Sequence, residues 1–153
     1  MLRHAIAIAS VLTLMSAASL GLSGRVKPVP ITAFDSWENI CWRFEKSRLD
    51  NFAIQLEHQT NYLGYIVIYA GRESCADEAV TRALRAKKWL ERRGVPSNRV
   101  LWINGGYREH TETQLWIWPI GEGAFPVDPK LNSNEIKVVT SCRGRILNPV
   151  KCK

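Results

Sequence analysis

A run of β-branched and aromatic residues near the middle of the chain, residues 65–69, constrains the fold more than any other feature. Such a run predicts a strand that is covered on both faces and therefore lies in the centre of a sheet. Apolar residues recur at helical spacing on either side of it, from Leu49 before the run and over residues 79–90 after it, where Gly94 marks the helix end. The sequence therefore predicts two helices packed on a sheet, an α/β (α+β) fold built as a single domain.

Strand-like segments elsewhere complete this prediction. Residues 39–44 are predicted as a short first strand and residues 100–103 as a third strand. A Gly-Gly turn at residues 105–106 leads to a fourth strand over residues 114–118, which can pair antiparallel with the third. Residues 136–140 could add one more strand. The predicted order is β-α-β-α-β-β on a mixed sheet, followed by an irregular extension.

The first two dozen residues have the layout of a secretory signal peptide. A basic start, residues 1–4, precedes the uncharged apolar stretch 5–22, whose small residues allow cleavage near residue 24. The alternative is a retained anchor, for which the stretch is only marginally long enough, since a bilayer takes about 20 residues to span. The resulting prediction is a periplasmic or secreted protein that contacts a membrane only through the leader if it stays uncleaved. The predicted organisation is a signal peptide at 1–24, a linker at 25–39, a domain at 40–118 and a C-terminal extension at 119–153.

The chain is basic and carries enough apolar residues to fold. It has 21 Lys and Arg against 14 Asp and Glu, a net charge of +7, and 46% hydrophobic residues with six tryptophans. A basic protein outside the cytoplasm favours acidic polymers, such as anionic lipid, lipopolysaccharide or the carboxylates of cell-wall peptides. Nucleic acid is not an expected partner there.

Four cysteines, Cys41, Cys75, Cys142 and Cys152, indicate two disulfides in an oxidising compartment. Three pairings are possible, and the short loop between them favours Cys142 with Cys152, which leaves Cys41 with Cys75. Free thiols are the alternative. Zinc is not expected because no Cys-x-x-Cys pair occurs, and no metal or other cofactor is predicted.

Several segments resemble, in order and spacing, the OmpA-like C-terminal domain, the periplasmic module by which envelope proteins hold peptidoglycan. The resemblance covers residues 40–118, about half of the chain. It is carried by Trp-Arg-Phe-Glu-Lys-Ser-Arg-Leu at 42–49, by the strand at 64–70, by Arg82-Ala83 and Trp89-Leu90 in the second helix, by Gly-Val-Pro-Ser-Asn-Arg-Val at 94–100, and by Gly-Gly-Tyr-Arg-Glu at 105–109.

The resemblance also implies a ligand site. Members of that family hold the diaminopimelate of the peptide stem through an aspartate just after the second strand and an arginine in the second helix. Arg82 matches the arginine, whose planar guanidinium suits a carboxylate, and the alternative for it is an ordinary surface arginine. The place of the aspartate is occupied by residues 70–73, including Arg72, so Glu73 or Asp77 is the acidic residue expected to meet the ligand's ammonium from a shifted position.

The function predicted from these features is that of a non-catalytic exported envelope protein that binds peptidoglycan or a related anionic wall component. The alternative is a protein interaction or structural module of the same fold that has lost the wall ligand and uses its basic second helix or its disulfide tail. A third reading is a small secreted hydrolase using Glu109 and His110 for acid–base work. Neither histidine of the mature region lies in a recognisable catalytic motif, so no catalytic residue is predicted.

Overall fold

The computed structural model describes residues 32–140, 142 and 150–152, and these residues belong to one compact unit. The predicted leader and the first part of the predicted linker lie outside the described residues. No helix in the described part is both long and apolar enough to cross a bilayer.

Two helices pack on one face of a four-stranded mixed sheet. The strand order is β1-β5-β2-β4, in which β2 runs parallel to β4 and antiparallel to β5, and β1 is antiparallel to β5. A short parallel ribbon, β3-β6, lies outside this sheet. The elements are β1 (Asp35–Trp37), α1 (Trp42–His58), β2 (Tyr62–Ala70), β3 (Glu73–Cys75), α2 (Glu78–Arg92), β4 (Val100–Tyr107), β5 (Glu112–Pro119) and β6 (Lys137–Val139), with single 3-10 turns at Ser97–Arg99 and Ser133–Glu135. The α+β class and the β-α-β-α-β-β order of the main sheet are as predicted.

The core lies between the helices and the sheet. Its fully buried members are Leu49, Phe52 and Leu56 of α1, Ala83, Ala86 and Leu90 of α2, and Ile66, Ile68, Val100 and Leu115 of the sheet. Gly64 lets α1 approach β2, because a Cβ atom there would lie 2.6 Å from Leu56 Cδ1. The two predicted apolar stripes are therefore the faces that the helices bury.

The opposite face of the sheet is covered by the C-terminal extension. The Phe125 ring stacks on Tyr65 with 4.9 Å between centroids and meets Trp116 and Trp118 edge-on at 5.1 and 5.2 Å. Phe125 thus joins the outer aromatic side chains of two strands into one cluster. With helices on one side and the extension on the other, β2 is covered on both faces, as its apolar run predicts.

The predicted first strand, residues 39–44, is wrong. Helix α1 already begins at Trp42, and the first strand is Asp35–Trp37, inside the segment predicted as a linker. Residues Ile40, Trp42 and Phe44 alternate as in a strand, but the Trp42 ring packs edge-on against Trp89 of α2, and this contact favours the helix.

The predicted pairing of the third and fourth strands is also wrong. Strand β2 lies between β4 and β5, so that Val67 pairs with Ile103 on one side and with Gln114 on the other. The Gly-Gly pair at 105–106 belongs to β4, where Gly106 takes φ +90° beside an irregularity in the pairing, and the chain turns only after Tyr107. The crossover from β2 through α2 returns β4 parallel to β2, which leaves the other edge of β2 for β5.

The favoured disulfide pairing is wrong as well. The bonds join Cys41 to Cys152 and Cys75 to Cys142, with Cα–Cα distances of 5.3 and 5.9 Å. Strand β6 runs parallel to β3, with Cys75 opposite Val139, and so brings Cys142 beside Cys75. The four cysteines do form two disulfides, as predicted, but both bonds tie the extension to the body of the domain.

Candidate functional site

A cleft opens where β2 ends, between the β3-β6 ribbon and the first turn of α2. Its lining consists of Asn39, Glu73, Cys75, Glu78, Arg82, Thr111 and Val139. It is continuous, through Asn39, Glu73 and Thr111, with a more open depression lined by Gly71, Arg72, Glu109 and His110. The carboxyl end of a strand beside a helix N-terminus is where α/β folds commonly place their ligand sites.

Arg82 lies at the base of this cleft and is buried, with only 3% of its surface exposed. Its NH2 atom lies 2.9 Å from Glu78 Oε1 and donates a hydrogen bond of 2.6 Å to Asn39 Oδ1. Its Nε has no hydrogen-bond partner among the described residues. The alternative of an ordinary surface arginine is therefore wrong.

Glu78 is the acidic residue nearest to Arg82, and the sequence analysis missed it. Its Oε2 accepts a hydrogen bond from the Cys75 backbone N–H, and its Oε1 accepts one from the Thr111 hydroxyl. Thr111 in turn accepts the Gly71 N–H. The available signal was the four-residue spacing of Glu78 and Arg82, which places the two side chains on one face of α2.

A second buried ion pair lies next to Arg82, between the two helices. Glu45 Oε2 lies 2.5 Å from Arg85 NH2, and Glu45 is only 2% exposed. Burial raises the pKa of Glu45, although the charges of Arg85 and Arg82 oppose that rise. Burial likewise lowers the pKa of Arg85, whose guanidinium lies 4.2 Å from the centre of the Trp42 ring. Two carboxylates thus interact electrostatically with the Arg82 guanidinium: Glu78 forms a direct ion pair with it, and Glu45 attracts it without contact.

The other predicted ligand residues divide between three places. Glu73 lines the same cleft as Arg82, and its exposed carboxylate lies 3.7 Å from Lys137 Nζ. Arg72 lies in the open depression, where it contacts Glu109. Asp77 lines a neighbouring cavity at the start of α2, in a left-handed conformation with φ 59°, and not the cleft. The structure therefore brings Arg82 and Glu73 together and leaves Asp77 apart.

The Arg72–Glu109 contact determines what Glu109 can do. Arg72 Nε donates to Glu109 Oε1 and Oε2 at 2.9 and 3.0 Å, and its NH2 lies 2.9 Å from Oε2. These hydrogen bonds lower the pKa of Glu109. A carboxyl group with a lowered pKa is a poor general acid near neutral pH. His110 lines the same depression, and its side chain makes no hydrogen bond to another described residue.

Among the residues described, no group of three or more His, Cys, Asp or Glu side chains is arranged to hold a metal ion. The cleft instead offers a buried guanidinium beside two carboxylates, an arrangement that can bind a small ligand carrying both an anionic and a cationic group. The chain shows no match to models of known protein families, to curated protein sequences or to solved structures.

Proposed function

We propose that this protein is a non-catalytic component of the cell envelope that holds the zwitterionic side chain of a peptidoglycan stem peptide in the cleft. The observation that carries the proposal is the buried Arg82 guanidinium, whose Nε has no hydrogen-bond partner in the described part of the chain, at the base of a cleft whose rim carries Glu73. A buried donor without an acceptor is costly, by about 1–3 kcal/mol, and a bound carboxylate is an acceptor that could offset this cost after a small adjustment.

Glu73 supplies the complementary charge. Its carboxylate is exposed, and its ion pair within the described residues is a long one of 3.7 Å to Lys137, so an ammonium group entering the cleft would find an acceptor at the rim. The resemblance to the OmpA-like domain supports the same division of roles, an arginine for the ligand's carboxylate and an acidic residue for its ammonium. The two disulfides support an oxidising location, and the predicted leader supports export to it.

A second candidate, a module that binds another protein and not the wall, is favoured by one specific observation. The Arg82 NH2 group already contacts both Glu78 and Asn39, so part of its binding capacity is used within the fold. In this case the Glu78–Arg82 pair would serve to hold the start of α2 against the segment before α1.

Sedimentation with purified sacculi separates these candidates. Residues 31–153, produced with both disulfides, are compared with Glu73→Gln, and with Glu122→Gln as a control for the loss of one exposed carboxylate. The proposal predicts that Glu73→Gln weakens retention about tenfold or more, because a hydrogen bond to a charged group contributes about 1.5–3 kcal/mol. Free diaminopimelate should release the parent protein, and the control should behave like the parent.

Two outcomes would contradict the proposal. If the parent protein does not sediment with sacculi, wall binding is refuted and the protein-binding candidate remains. If Glu73→Gln and the control sediment alike and raised salt releases both, the attraction comes only from the general positive charge.

A further inference from the structure

Among the described residues, the two helices carry most of the lysines and arginines that form no ion pair with an acidic side chain. Eight of the described lysines and arginines form ion pairs with acidic side chains. Arg99 makes none and donates to two backbone carbonyls, and Lys151 near the C-terminus makes none. The remaining cations without an ion pair in the described part of the chain are Arg43 and Lys46 of α1 and Lys87, Lys88 and Arg92 of α2.

Acidic groups on the helices do not balance these charges. Glu45 is buried against Arg85, and Asp50 accepts from the Trp89 indole N–H at 2.7 Å and contacts Arg93 at 3.1 Å. Glu57 and Glu91 are the exposed acidic residues of the two helices that form no ion pair with another described residue. The outer side of the helix layer therefore keeps an excess of positive charge.

Exposed apolar side chains lie on the same helix faces as these cations. On α2, Leu84, Lys88 and Arg92 recur every four residues and share one face, and Leu84 is 52% exposed. On α1, Arg43 and Ile54 share a face by their spacing of 11 residues, and Ile54 is 53% exposed. The outer face of α2 thus presents bulky hydrocarbon beside positive charge to the solvent, and α1 adds an exposed aliphatic side chain about 16 Å along its axis from Arg43.

Partly exposed aromatic rings accompany the cations of the two helices. Trp42 and Trp89 meet edge-on with 6.0 Å between centroids, and both remain partly exposed. Lys46 Nζ lies 5.0 Å from the Trp89 ring centre, and the Arg43 guanidinium lies 5.1 Å from that of Phe44, which is 53% exposed. Tryptophan beside lysine and arginine is the composition that proteins place at the boundary between lipid headgroups and hydrocarbon.

We propose that the outer face of α1 and α2 docks on the surface of an anionic lipid bilayer. The unpaired cations would meet the headgroup phosphates, while Leu84, Ile54 and Phe44 would enter the outer edge of the hydrocarbon. Charge alone would suit any acidic partner. The combination of an exposed Leu84 with Lys88 and Arg92 on one face of α2 suits a lipid interface, where polar and apolar environments lie within a few ångströms of each other. This contact is separate from the leader, to which the sequence analysis confined membrane binding.

Vesicle flotation tests this proposal. Residues 31–153, which lack the apolar leader, are mixed with vesicles of phosphatidylcholine alone or of phosphatidylcholine with phosphatidylglycerol. Binding is expected only to the anionic vesicles. Each basic side chain near such a surface contributes about 1 kcal/mol, so Lys88→Gln/Arg92→Gln should weaken partitioning about 30-fold. Leu84→Ser should weaken it as well, with an unchanged salt dependence.

The matched control is Lys130→Gln/Lys137→Gln, which removes the same charge outside the two helices, in the extension and in β6, and should retain most of the binding. Equal losses in the two double variants, or no binding to anionic vesicles, would overturn the proposal. Tighter binding to polyglutamate than to vesicles, unaffected by Leu84→Ser, would assign the face to an acidic protein and also overturn it. Glu73→Gln should leave vesicle binding unchanged, so this proposal and wall binding can fail independently.

Discussion

Replacing Arg85 by methionine should lower the stability of the fold, because the Glu45 carboxylate stays buried without its ion-pair partner. In the folded protein the Glu45 side chain is 3% exposed and the Arg85 side chain 14% exposed, and their charges meet at 2.5 Å. Removing one partner of such a pair leaves the other charge buried without compensation, which typically costs 3–5 kcal/mol. We therefore expect Arg85→Met to lower the free energy of unfolding at pH 7 by about 3–5 kcal/mol, a decrease of about 2 M in the urea midpoint for a domain of this size.

The pH dependence of this loss identifies the group responsible. Burial already raises the pKa of Glu45, and loss of the Arg85 charge should raise it further. A raised pKa means that the folded protein binds this proton more tightly than the unfolded chain does. The folded variant should therefore regain stability as the pH falls, by up to about 1.4 kcal/mol per pH unit between the folded-state pKa and the unfolded-state pKa of Glu45.

Two further variants make the test specific. Arg85→Lys keeps the charge but not the planar guanidinium, so its loss should be smaller, about 1–2 kcal/mol, and nearly independent of pH. Adding Glu45→Gln to Arg85→Met removes the stranded charge and should restore stability at pH 7 to near that of the parent. Urea unfolding from pH 7 to 5, with the disulfides intact, measures all four proteins. A pH-independent loss in Arg85→Met, or no restoration in the double variant, would refute the reasoning.

Three more predictions concern packing and the extension. Gly64→Ala should destabilise the fold by about 1–3 kcal/mol, because its Cβ would lie 2.6 Å from Leu56 Cδ1 and the core would have to shift. A urea midpoint equal to that of the parent would contradict the tight approach of α1 to β2. Phe125→Ala removes the ring on which three aromatic residues converge and should cost about 1–2 kcal/mol, because the ring is only partly buried. Thermal unfolding measures this loss, and a loss below about 0.5 kcal/mol would mean that the extension contributes little to the fold. Cys75→Ala/Cys142→Ala opens a loop with a sequence separation of 67 and should lower the free energy of unfolding by about 4 kcal/mol, the loop-closure entropy of the unfolded chain. Mass spectrometry of unreduced peptides should show the Cys41–Cys152 bond unchanged, and a different pairing would contradict the observed connectivity.

The parts of the fold that local pattern determines were predictable. The apolar run of β2 and the stripe of α2 each match the surface that the element buries, so pattern and packing agree. Residues 39–44 are a case in which pattern and packing disagree. Their alternating apolar residues fit a strand, but residues from Trp42 onward form the first turn of α1. The contact between Trp42 and Trp89, 47 positions later in the sequence, lies beyond any local pattern.

The candidate site was predictable only in part. Arg82 and Glu73 were identified through the resemblance, and the structure places both in one cleft. The burial of Arg82 was not visible in the sequence, since it precedes a series of exposed basic residues on the same helix. Arg82 contacts Asn39 and Glu78, and Glu78 is in turn held by Thr111, so its surroundings come from three segments that are distant in the sequence. The disulfide pairing depends in the same way on the contact between β3 and β6, two three-residue strands without a distinctive pattern of their own.

The two disulfides are nested, with the Cys75–Cys142 bond lying inside the loop closed by Cys41 and Cys152. This connectivity has a consequence for how the chain must mature. If the chain is exported N-terminus first, as proposed above, Cys41 and Cys75 emerge before both of their partners, which lie within the last twelve residues, and can pair with each other. Every native crosslink must therefore wait for the end of the chain, and any early bond must be broken and remade by thiol–disulfide exchange. We expect maturation to depend on a disulfide isomerase, and a stop codon before Cys142 to remove both covalent closures at once.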